Sequence, residues 1–162
     1  MRSRETENFT LEMALKFKME AEEYLNRLDD DYSLRLAAYS TARCVELFLR
    51  YMLITRKEII STGTSCKRLA GALIELGVEF TPVQKRIFYT ADVWSDLASY
   101  DVDFNETYMN IAGVLGEVYT LINQYAEQHI YESVEQIRKK DRTKVECVSR
   151  KECFVRNWRM IS

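Results

Sequence analysis

Five polar residues are spaced so that they can act together. Arg35, Tyr39, Arg43, Glu46 and Arg50 follow one another at intervals of four, four, three and four, which lines side chains along one face of an α-helix. Glu46 is one turn from both Arg43 and Arg50, so an Arg–Glu–Arg ladder is sterically natural. Guanidinium groups held by a carboxylate meet phosphate or partner carboxylates as a planar fork. Ligand or partner binding through Tyr39, Arg43, Glu46 and Arg50 is the chemistry expected here; the plainer alternative is a solvated helix edge. A second set, Asp92 and Asp96, also stands four apart, with Asp101, Asp103 and Glu106 shortly after. Carboxylates on one helical face can hold Mg²⁺, or they can form an acidic edge facing water. The chain has no phosphate loop with which such a metal would share a nucleotide.

The C-terminal stretch offers a third set. Between Arg138 and Ser162 there are nine basic and three acidic residues, a net +6, against fourteen basic and twenty-two acidic in the remainder, a net −8. Such asymmetry marks either a nucleic-acid arm or a tail lying on its own acidic body or on another subunit. Phe154, Val155, Trp158 and Ile161 favour packing, so Arg156, Trp158 and Arg159 are expected contacts to a subunit or to nucleic acid. The four cysteines (Cys44, Cys66, Cys147, Cys153) show no CxxC spacing, and His129 is distant from all of them. Four reduced thiols are expected, without a zinc site. Cys44, inside an apolar pattern, is expected to pack as a small hydrophobe.

The elements that would position these sets read as helices. One Pro and five Gly in 162 residues leave few sharp turns, and 47% hydrophobic with 30% charged residues is ordinary for a folded chain. A first helix is expected over about Phe9–Leu28, its stripe Met13, Phe17, Ala21, Tyr24 and Leu28. Asp29–Asp31 would end it and cap the next. The second, about Tyr32–Ile60, carries Leu34, Ala38, Thr41, Val45, Phe48 and Met52 along one seam, widened by Leu47, Leu49 and Leu53. A turn-rich break at Ser61–Ser65 precedes a short helix, Lys67–Leu76, ended by Gly77. Thr81-Pro82 would open a fourth helix with the stripe Val83, Ile87, Ala91, Trp94 and Ala98. Asn105 would cap a long fifth helix with Tyr108, Ile111, Leu115, Val118, Ile122 and Tyr125 on one face. Beyond Lys140 the period is lost, and a small β-hairpin is one reading of the tail.

The expected organisation is an all-α bundle of four to five up-down helices over residues 1–140, with a basic, aromatic appendage over 141–162. No uncharged apolar run reaches the roughly 20 residues of a membrane span. The charged opening Met1–Asn8 is unlike a signal peptide. A cytoplasmic protein is therefore expected.

The run Ala42-Arg43-Cys44-Val45-Glu46-Leu47-Phe48-Leu49-Arg50-Tyr51-Met52-Leu53 resembles the second-helix signature of HEPN domains: a small residue, an acidic one, a basic one four later, then apolar residues. The helix order around it is similar too, over roughly Phe9–Val134. The substrate-binding subunits of minimal nucleotidyltransferases belong to the same superfamily. The resemblance implies a helical bundle that pairs as a homodimer, with a nucleotidyltransferase, nucleotide or nucleic acid as partner. Active HEPN ribonucleases carry Arg followed four to six positions later by His. Here the nearest arginine before His129 is Arg86, so that motif is absent and binding is expected rather than cleavage. Two alternatives remain: a divergent Mg²⁺-dependent nuclease or transferase using Asp92 and Asp96, and a purely structural oligomeric protein. No other cofactor is expected.

Overall fold

A computed structural model describes the backbone of residues 2–27, 31–56, 58, 64–99 and 106–141, and the side chains among these except at 2–4, 31, 97–99 and 126–141. It is all-α: α1 (Arg2–Asn26), α2 (Asp31–Thr55), α3 (Cys66–Glu75), α4 (Pro82–Ser99) and α5 (Tyr108–Asp141), with no strand among the described residues. The chain forms two compact units, Met1–Val118 and Tyr119–Ser162. In the first, α1 packs along α2, and α2 also packs on α3 and α4, which touch each other. The first turns of α5 add Ile111, Leu115 and Val118 to the buried side chains of this unit. In the second, Leu121, Ile122 and Tyr125 are buried. The expected appendage, its hairpin and Arg156, Trp158 and Arg159 lie outside the described residues, as do the side chain of His129 and the expected cap at Asp29–Asp31.

The central helix is α2, because it is apolar on more than one side. Val45, Phe48, Leu49, Met52 and Leu53 are each at most 1% exposed. Burial of side chains of this size supplies the main drive for folding, at roughly 1.5–3 kcal/mol each. Its last turn stops at Thr55, five residues before the expected Ile60. The side chains of Thr55 and Arg56 both donate to the Met52 carbonyl, at 2.7 and 2.9 Å, which satisfies a helix-end acceptor that another turn would have used.

The buried stripe of α1 differs from expectation. Thr10, Ala14, Lys18, Ala21 and Leu25 are buried, whereas Met13, Phe17 and Tyr24 are half-buried. The buried face of α1 is thus shifted by about one residue and holds small side chains, as does α2 at the buried Ala37, Ala38 and Thr41. The distance between packed helices is set by the side chains at the contact. Thr10 and Thr41 spend their hydroxyls on carbonyls one turn back, Thr6 and Ala37, at 2.7 and 2.8 Å.

The shorter helices are set by their ends. Thr81 and Gln84 form a reciprocal capping box: Thr81 N–H donates to Gln84 Oε1 at 2.9 Å, and Gln84 N–H to Thr81 Oγ1 at 3.2 Å. That draws Gln84 inward and leaves Val83, expected in the stripe, 45% exposed; Ile87, Ala91 and Trp94 are buried as expected, with Phe88 beside them. Helix α3 ends with Gly77 at φ 94°. Gly77 N–H donates to the Ile74 carbonyl and Val78 N–H to that of Leu73, both at 3.0 Å. This Schellman ending needs a left-handed residue, which glycine adopts without a Cβ penalty. Helix α5 starts at Tyr108 and is capped by Thr107, whose Oγ1 accepts from Asn110 N–H at 3.2 Å; the expected cap, Asn105, lies outside the described residues.

Candidate functional site

The ladder forms on α2. Arg43 Nη1 donates to Glu46 Oε2, and Arg50 Nη2 lies 3.6 Å from Glu46 Oε1. The side chains are 34%, 19% and 17% exposed for Arg43, Glu46 and Arg50, so this is no solvated edge. The Arg43 guanidinium also lies over the Phe17 ring of α1, 5.6 Å from its centre, a cation–π contact that fixes the fork against the helix next door. Two arginines thus flank one carboxylate.

Asp92 does something that its spacing did not announce. Its carboxylate reaches across to the start of α3 and accepts the N–H groups of Cys66 at 2.7 Å and Lys67 at 3.1 Å. Ser65, the N-cap, accepts Arg68 N–H at 3.3 Å through its hydroxyl and Leu69 N–H at 3.0 Å through its carbonyl. The first-turn amides of α3 are thus all satisfied, two of them by another helix. A negative charge is also favourable against the positive end of the helix dipole. Both Asp92 oxygens are used in this way, which ties α4 to α3.

These residues surround a cavity of about 260 Å³. Arg43 and Glu46 reach it from α2, Asp92, Ser95 and Asp96 from α4, and Cys66 from the start of α3. Two buried alanines, Ala42 and Ala91, make the room. The two polar sets read separately from the sequence therefore belong to one place. Arg50 is the second partner of Glu46, outside the lining, and Tyr39 is half-buried on α2 away from it. The two alanines carry no sequence signal of their own. The only available cue was the N-cap serine before a helix whose first turn has no acidic residue.

The lining thiol is chemically quiet. Burial pushes the Cys66 thiol up, and the negative charges of Asp92 and Glu46 push it further in the same direction. Burial likewise raises Cys44 to about 12. Both described cysteines are unpaired and buried, and both stay protonated at neutral pH, so neither supplies a thiolate nucleophile. Among the described residues no group of three or more His, Cys, Asp or Glu side chains could hold a metal ion. Asp92 and Asp96 fit Mg²⁺ poorly, because the first has both oxygens on backbone amides. Among the described residues no helix is long and apolar enough to cross a membrane. No protein-family model, curated protein or solved structure matches the chain.

Proposed function

We propose that this chain is a non-catalytic binding domain whose recognition site is the polar cavity among α2, α4 and the start of α3. The supporting observation is the convergence of Arg43 and Glu46 with Asp92 and Asp96 on one small, charged space. Catalysis fits it poorly. General acid–base chemistry needs a positioned group free to exchange a proton. Here the lining holds no histidine, its thiol is held protonated, Glu46 serves two arginines and Asp92 serves two amides. The Mg²⁺-dependent alternative is weakened by the same use of Asp92. The resemblance of Ala42–Leu53 to HEPN second helices supports the same class, a bundle that binds a second copy, a nucleotidyltransferase or a nucleic acid.

The test is calorimetric titration of the full chain with free amino acids, polyamines, inorganic phosphate, mononucleotides and a labelled RNA, each with and without Mg²⁺. A Ser95→Trp variant, checked for an intact melting transition, fills the cavity. Binding by wild type and its loss in that variant is the expected result. Silence from every probe, or Mg²⁺-dependent RNA cleavage lost in Asp96→Ala, overturns the reading.

A further inference from the structure

We propose that the cavity takes a zwitterion of α-amino-acid type, its carboxylate on Arg43 and its ammonium on Asp96; this rests on the cavity being the recognition site. The lining is bipolar rather than acidic. On α2 the ladder carries two positive charges and one negative. On α4 the charge of Asp92 is met by the α3 amides, while Asp96 has no hydrogen bond or ion pair among the described residues. Arg43 has five N–H donors, and among the described residues only Glu46 accepts one. A surplus donor fork and a surplus carboxylate thus reach one cavity from two different helices.

A phosphate or nucleotide would bring its negative charge against Asp96, and a bare polyamine would meet the Arg43 guanidinium. Like-charge approach of this kind rejects a ligand as effectively as a good contact recruits one. A zwitterion satisfies both ends, and an arginine–carboxylate fork is among the stronger charge-assisted hydrogen-bond pairs. Size agrees. The volume of about 260 Å³ is just below the roughly 300–1,000 Å³ of typical ligand pockets, suited to an amino acid and tight for a mononucleotide. The fork is also held in place beforehand, by Glu46 on one side and the Phe17 ring beneath it, which reduces the ordering cost of binding.

Isothermal titration of the full chain with the free amino acids, then with the amide and N-acetyl derivative of whichever binds, tests this. The amide removes the carboxylate charge and the acetyl group removes the ammonium. The expected result is binding of at least one free amino acid, weakened about tenfold or more in each derivative, in Arg43→Lys and in Asp96→Asn. Asp96 is exposed and has no partner among the described residues, so its replacement does not put the fold at stake. An amide that binds as tightly makes this a cation site, and an N-acetyl form that binds as tightly makes it an anion site; either overturns the zwitterion. Binding of phosphate, nucleotide or polyamine alone also overturns it, yet leaves the cavity as recognition site. Silence from all probes removes both.

Discussion

Lys18 on α1 and Arg43 on α2 are both cations held by a carboxylate on their own helix, yet their surroundings differ. Lys18 is 2% exposed and its ammonium donates to Glu22 at 2.7 Å. It lies close enough to Cys44 of α2 for its charge to act on that thiol. Its stem is buried in the α1–α2 seam, and Glu22 one turn on holds its charge. Arg43 is a third exposed, shares Glu46 with Arg50 and lines a cavity. The seam uses a cation as packing material, whereas the cavity presents one. The difference is one of burial and access, since Lys18 is sealed in the seam while Arg43 is a third exposed at the cavity wall.

The largest effect should come from the seam. Lys18→Ala removes a buried stem and should lower stability by about 3 kcal/mol, in the range of large-to-small core changes. Lys18→Met keeps the shape and should recover most of it, because Glu22 then turns to water. Denaturant melts of both variants check this; equal loss in both would mean that the charge matters at the seam and would erase the contrast. Next comes Asp92→Ala, which orphans two amides of α3 and should cost about 2 kcal/mol. Faster amide exchange at Cys66 and Lys67, with the α1–α2 seam still protected, is the matching readout.

Glu46→Ala ranks third, at about 1–2 kcal/mol. That lies between the 3–5 kcal/mol of a broken buried pair and the less than about 1 of an exposed one, because its partners are partly solvated. An unchanged melting temperature would demote the ladder to surface decoration. The smallest effect is confined to alkaline pH. The Cys44 thiol is raised from its usual 9.0 to about 12, so the folded state holds its proton longer than the unfolded chain. That stabilisation is complete below pH 9.0 and disappears as pH rises towards about 12. Melting temperature should therefore fall above pH 9, less steeply in Cys44→Ala, with Cys66 supplying the remaining slope. Parallel slopes would show that Cys44 is not desolvated at the seam.

Much of the framework was readable in advance. Five helices follow from apolar periodicity, scarce Pro and Gly, and end signals such as Thr81-Pro82 and Gly77. The Arg43–Glu46–Arg50 pairing was readable as well, because it joins residues one turn apart on a single helix. Periodicity weighs bulk and so sets the α1 stripe one residue off, while the buried face includes Thr10, Ala14, Ala21 and the stem of Lys18. Val83 departs for a similar reason: apolar character puts it in the stripe, but a capping box decides which way the first turn faces.

What the sequence determined by itself is whatever depends on neighbours within a turn or two: helix existence, the helix ends at Thr81 and Gly77, and the ladder. These rest on hydrogen bonds and contacts between residues a few positions apart, so local order contains them. The tertiary structure alone decided that Asp92 would cap α3 and that Arg43 and Asp96 would line one cavity. It also decided that a lysine would lie inside and a cysteine between two carboxylates. Such pairings join residues far apart in the chain, and their geometry comes from how α1, α3 and α4 settle against α2. Packing distance, set by alanines that carry no chemistry, turned two separate charge patterns into one site.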